Sequence, residues 1–320
     1  MVRADEQPTE RCVSPTMRIV PLPLANSPAQ VRARLHVRRE SHKVHFPGAL
    51  SLWHLASMDA PTVAVVWALA FAWAGGLRLP AWVPVMLAMG TWTVYIGDRL
   101  LDARAGLRTG AADRLRERHF FHWRQRKALL PLALATGGTA AAIILLRMPV
   151  AIRERNVVLG AAALAYFSGV HAPGGRWLQR LPKELLVGVL FAAGCTLPTL
   201  TRLRLMGNAW EDLAPLLVAA AAFAALAWLN CHAIERWESD VVDDASKVWK
   251  AAAMLALTTL GLALLMAGID AHRIALLLLC AAGSALLTGG LDRMRGRLAP
   301  LALRTAADLV LLTPLVCLLR

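Results

Sequence analysis

Nine apolar runs dominate this chain, at about 60–77, 80–97, 128–146, 156–172, 184–200, 213–234, 250–268, 273–290 and 299–319. Most are long enough to cross about 30 Å of hydrocarbon as helices. Of the 320 residues, 57% are hydrophobic and only 18% charged, more apolar surface than a soluble domain can bury. The expectation is therefore an all-α polytopic membrane protein with about nine transmembrane helices. Many runs are rich in Ala and Gly, which lets helix backbones approach closely.

The polar connections carry orientation information. Residues 1–47 are polar, contain Pro and Arg, and lack an apolar signal-peptide segment, so they are expected to form a disordered cytoplasmic tail ahead of one transmembrane domain, 48–320. Lys and Arg are concentrated in this tail and in the connection from 98 to 127. That bias places the N-terminus and the even-numbered connections in the cytoplasm and the C-terminus outside. It implies an integral protein of the cell (inner) membrane whose partner is the lipid bilayer. The net charge of +14 is spread over these connections, which speaks for membrane orientation and against nucleic-acid binding. The five cysteines form no CxxC or metal spacing and read as small apolar fillers.

Before the first run, Leu50 to Met58 reads as a short interfacial helix, and Asp59-Ala-Pro61 as the cap of the first span. In the connection from 98 to 127, Asp113 to Arg126 is basic and aromatic and is expected to lie as an amphipathic helix on the surface. Its His119 and His122 are read as headgroup-facing residues rather than zinc ligands.

Two span ends concentrate the charge. Thr93 to Arg104 closes the second run and supplies Asp98, Arg99, Asp102 and Arg104. On a helix Asp98 and Asp102 are i and i+4, about 40° apart in projection, so both carboxylates leave one face. The sixth run ends in Glu235, Arg236, Glu238 and Asp240, on the same side by charge counting. Carboxylates at a membrane-helix mouth are costly unless paired or functional. Two such mouths suit Mg²⁺, which binds through a few carboxylates plus substrate phosphates. Interfacial ion pairing with Arg99 and Arg236 is the competing reading. Inside the spans, Asn230 and His232 read as interhelical hydrogen-bonding residues, and Arg304 and Asp308 as an i, i+4 pair.

At these residues the chain resembles the UbiA superfamily of intramembrane prenyltransferases. Asp98-Arg-Leu-Leu-Asp102-Ala103 is similar to the second half of that family's first acidic motif, although Val94 and Tyr95 stand where its leading Asn and Asp would be. Glu238-Ser-Asp240 resembles the end of the second motif, with Arg236 and Glu235 around the position of an expected Asp. Arg180-Leu-Pro-Lys183, followed by Gly188 and Gly194, is similar to the basic entry of the family's fifth helix. The resemblance implies a UbiA-like helix bundle that transfers a prenyl group from an isoprenoid diphosphate to a hydrophobic acceptor, with Mg²⁺ as cofactor. It implies metal ligation by Asp98, Asp102, Glu238 and Asp240, with Glu235 a further acid of the catalytic set. Arg99, Arg180, Lys183 and Arg236 would bind diphosphate, and Tyr95 would position the acceptor or fill the space of the missing acid. The departures at Val94 and Tyr95 keep a second reading open, a non-catalytic relative that binds or carries a lipid or isoprenoid.

Overall fold

The computed structural model describes residues 44, 46, 48–109, 115–150, 152–154, 157, 160, 161, 165, 183–238 and 246–319. These described residues form helices and turns, with a single isolated bridge between Val44 and Leu298 and no strand ladder among them. In chain order the helices are α1 (Gly48–Leu55), α2 (Asp59–Ala74), α3 (Trp82–Arg108), α4 (Glu117–Arg124), α5 (Arg126–Arg147) and α6 (Lys183–Leu205). Next come α7 (Trp210–Glu238), α8 (Ser246–Gly268), α9 (His272–Met294), α10 (Pro300–Leu309) and α11 (Leu315–Leu318).

Five helices are long and apolar enough to cross a membrane: α5, α6, α7, α8 and the helix opening at His272. A sixth span results if α1 and α2, bent by 85° against each other, count as one. The expectation of nine is thus not met among the described residues. The fourth run, 156–172, lies mostly outside them. The second run is the first part of α3, whose length is extended by its charged end, and the ninth is broken into α10, a 3-10 turn at Val310–Leu312, and α11. Leu132, Leu134 and Leu146 on α5 and Met254, Leu257 and Leu264 on α8 stand exposed, a surface compatible with a lipid bilayer.

The core forms where α2, α6, α7, α8 and α9 meet. Trp67 stacks on Phe223 with ring centroids 3.9 Å apart, and its indole N–H donates to the Leu311 carbonyl at 2.9 Å. This donor would otherwise be stranded in an apolar interior. Gly188 is required by the α6–α7 contact, because a Cβ there would lie 2.8 Å from the Trp228 amide nitrogen and 2.9 Å from the Ala224 carbonyl oxygen. Backbone cannot yield as a side-chain tip can. At the opposite edge of α7, buried Asp292 accepts from the Trp237 indole at 2.9 Å and from the Trp249 amide at 3.2 Å, closing the first turn of α8.

Between α1 and α2 the chain turns through Ser57, whose φ of 55° is left-handed. The turn is fastened from two sides. The Trp92 indole donates to the Ala56 carbonyl at 2.9 Å, and the Ser57 hydroxyl meets His122 Nε2 at 3.2 Å. Asp59 opens α2 without capping it from the preceding position. Its Oδ1 accepts from the Ala60 amide at 2.9 Å, while its other oxygen turns toward His54.

Candidate functional site

Helix α4 joins the two charged helix ends. It comes directly after the end of α3, packs on it, and lies against α1 and α5. His119 starts this arrangement: its Nδ1 accepts from the Arg116 amide at 3.0 Å, so the ring caps its own helix and leaves Nε2 facing Asp102 at 3.9 Å. His122 Nδ1 donates to the Arg118 carbonyl at 2.7 Å, which leaves Nε2 to accept from Ser57. Both rings are buried, not headgroup-facing as expected, because α4 turns this face toward α1 and α3. Burial, then the positive charge of Arg118, lowers His119 from its ordinary value to about 3. Burial lowers His122 as well. Both imidazoles are neutral in the fold.

From the same helix, Arg118 reaches the end of α7. Its two terminal nitrogens donate to the Glu238 carboxylate at 2.6 and 3.0 Å, a fork-on-fork pair, and Arg116 donates to the Glu238 carbonyl. Arg304 on α10 donates to the same carboxylate at 2.8 Å. Arg304 therefore pairs across helices and not with Asp308 one turn on, as its spacing predicted. Arg118 and Arg304 side chains are 11% and 14% exposed, and each leaves its Nε buried without a partner. Burial, then the nearby charge of Arg304, lowers Arg118 to about 10, which still leaves it charged at neutral pH. Arg99, also buried, adds a third guanidinium within electrostatic reach. A small pocket lined by Ile234, Trp237, Glu238, Pro300, Leu303 and Arg304 adjoins the pair.

Of the residues singled out from sequence, Tyr95, Asp98, Arg99 and Asp102 share the end of α3. Arg99 lies 3.6 Å from Asp98 and 5.8 Å from the centre of the Tyr95 ring, and the Asp98 and Asp102 side chains are 37% and 47% exposed. Glu238 joins this end through α4. Glu235 and Arg236 are exposed on another side of α7, and Glu235 lies against Glu184 of α6. Lys183 is exposed at the start of α6. Arg180 and Asp240 fall outside the described residues. Sequence reasoning missed Arg118 as the partner of Glu238, and it missed a buried group formed by His54, Asp59 and Asp308. The signal for the first was an Arg on the same helix as the two histidines. For the second it was an Asp inside the last apolar run.

As a place for Mg²⁺ the two mouths differ. Asp98 and Asp102 present half-exposed carboxylates from one helix face and fit a cation that shares its remaining ligands with phosphate. Both Glu238 oxygens are engaged by guanidiniums, so Glu238 does not fit as a metal ligand in this arrangement. No known protein family matches the chain, and neither a curated protein nor a solved structure matches it. The UbiA resemblance therefore rests on the residues that carry it.

Proposed function

We propose that this chain is a UbiA-like intramembrane prenyltransferase that moves a prenyl group from an isoprenoid diphosphate to a hydrophobic acceptor. The reading includes a nine-span bundle in the cell membrane, with the N-terminus in the cytoplasm and the C-terminus outside. The observation that carries it is the convergence, on α4, of the α3 end bearing Asp98, Arg99 and Asp102 with the α7 end bearing Glu238. Two guanidiniums, from Arg118 and Arg304, hold the Glu238 carboxylate there, while Arg99 lies beside Asp98 and within electrostatic reach of Arg118. Guanidiniums gathered from three helices suit a diphosphate.

In this scheme Arg99, Arg118 and Arg304 bind the diphosphate oxygens, and Asp98 and Asp102 hold Mg²⁺ beside them. The cation, when bound, neutralises charge on the leaving diphosphate. The allylic C–O bond breaks with its electron pair going to the diphosphate. The acceptor's nucleophilic atom forms the new bond to carbon and releases its proton.

A second reading, a non-catalytic isoprenoid or lipid binder, is favoured by Glu238, whose oxygens the two arginines already occupy, and by Val94 and Tyr95 in place of acids. Binding of geranylgeranyl diphosphate to the purified protein, with and without Mg²⁺, separates the two. Mg²⁺-dependent binding that disappears in Asp98→Ala/Asp102→Ala supports the enzyme. Mg²⁺-independent binding that persists in that variant and is lost in Arg99→Ala supports the binder. Absence of binding by folded protein refutes a prenyltransferase that uses this donor and shifts the weight to the non-catalytic reading.

A further inference from the structure

The geometry points to a binding site for a first-row divalent cation, of the Zn²⁺ or Mn²⁺ kind, formed by His54, Asp59 and Asp308 and separate from the Asp98 and Asp102 mouth. These residues come from the end of α1, the start of α2 and the end of α10, and Asn230 of α7 closes a fourth side. One ligand atom from each of the three lies within 4.8 Å of the others. His54 Nδ1 is 2.6 Å from Asp59 Oδ2 and 3.4 Å from Asp308 Oδ2. Donor atoms around one tetrahedral Zn²⁺, each about 2.0–2.2 Å from the ion, sit about 3.3–3.6 Å from one another. The 3.4 Å separation has that spacing, and the 2.6 Å one has to open when an ion enters.

Direct pairing of His54 with the two carboxylates leaves part of the cluster unsatisfied. His54 is 2% exposed, yet both of its ring nitrogens lack a hydrogen-bond partner. At 2.6 Å Asp59 Oδ2 stands close enough to Nδ1 to share a proton or an ion with it. Asn230 Oδ1 is likewise buried without a partner, and its Nδ2 donates to Asp308 Oδ1 at 3.3 Å. Asp59 Oδ1 is held by the Ala60 amide. Each carboxylate thus has one oxygen fixed by a protein donor and the other turned toward His54. Outer partners orient metal ligands in this manner.

Charge supports the same assignment. With the imidazole deprotonated to ligate, the two carboxylates carry a charge in this buried place that one dication balances. The nearest guanidinium on the same helix, Arg304, is committed to Glu238. An imidazole nitrogen among the donors favours Zn²⁺ or Mn²⁺ over Mg²⁺ and Ca²⁺, which prefer all-oxygen sites.

The test uses the full chain in detergent micelles, stripped with a chelator and titrated with Mn²⁺ alone. We expect one tightly bound Mn²⁺ whose pulsed electron paramagnetic resonance spectrum carries ¹⁴N coupling from His54, and which Zn²⁺ displaces. His54→Gln should abolish the coupling, and Asp308→Asn should weaken binding more than tenfold. Asp98→Ala/Asp102→Ala should leave the coupling intact, so failure here is distinguishable from failure of the prenyltransferase reading. Bound Mn²⁺ without nitrogen coupling in the wild type overturns the site, and that spectrum decides even where a variant does not fold. Coupling that persists in His54→Gln, or no Mn²⁺ binding by folded protein, overturns it equally.

Discussion

Glu238→Ala should be among the most damaging single substitutions in this chain. It removes the only carboxylate within hydrogen-bond reach of Arg118 and Arg304 among the described residues. Two guanidiniums, 11% and 14% exposed, are then left facing each other without the carboxylate that bonds them both. Removing one side of a buried pair costs about 3–5 kcal/mol. The Glu238 side chain is 29% exposed, so water reaches the vacated space and the lower end applies. A loss of about 3 kcal/mol lowers the folded-to-unfolded ratio roughly 150-fold. Glu238→Gln, which keeps one acceptor oxygen, should fall between Ala and the wild type. Glu235→Ala, one turn back along α7 and exposed, should stay within about 0.5 kcal/mol. Equilibrium unfolding of the protein in bicelles, measured by steric trapping, reads these differences directly. A Glu238→Ala variant as stable as Glu235→Ala would refute the clamp. Glu238 would then be available to a metal, as the acidic motif implies.

Three other contacts set measurable outcomes. Gly188→Val should cost about 1–3 kcal/mol by the same assay, because the new Cβ meets backbone atoms of α7 at 2.8 and 2.9 Å; a neutral result would mean that α6 and α7 are not in contact there. Asp292→Ala should lose about 1–3 kcal/mol by stranding the Trp237 indole N–H, and Asp292→Asn, which keeps an acceptor, should recover part of it; equal losses would show that the acceptor is unimportant. Stability should also fall in mild acid. His119 is held down to about 3 in the fold, against an ordinary value near 6.5, so its contribution is complete above about pH 6.5 and is lost as pH falls from there toward 3. His119→Gln should flatten unfolding midpoints measured between about pH 7.5 and pH 5, and an unchanged slope would sink that assignment.

Sequence periodicity and composition identified the long apolar helices, because a lipid-compatible helix is a local property of about 20 residues. The number of spans was less legible. At the 85° turn through Ser57, Asp59 and Pro61 marked the start of α2 but not whether α1 and α2 make one span, and in the last run Pro314 follows a break whose own residues, Val310 to Leu312, are apolar like their neighbours. The α3 end was visible as Asp98 and Asp102 on one face, since i, i+4 spacing fixes it. The partners of Glu238 were not, because Arg118 and Arg304 are brought to it from helices 120 and 66 residues away. The same holds for Asp308. One-dimensional spacing pairs it with Arg304, whereas packing sets it against His54 and Asn230. Interhelical hydrogen bonding by Asn230 was anticipated from its place in an apolar run; its partner was not.

The Trp67 hydrogen bond to the Leu311 carbonyl has a bearing on biogenesis. It spans 244 residues and joins α2 to the 3-10 turn at Val310–Leu312. A ribosome delivers these partners far apart in time. Until the Val310–Leu312 turn emerges, the indole N–H on α2 lacks its acceptor, and Glu238 waits for α10 to supply Arg304. Synthesis of α10 and the turn after it, rather than entry of any earlier helix, is therefore the event that seals the assembly. Nascent chains halted before α10 would carry an open seam along α2, the kind of flaw that membrane quality control recognises.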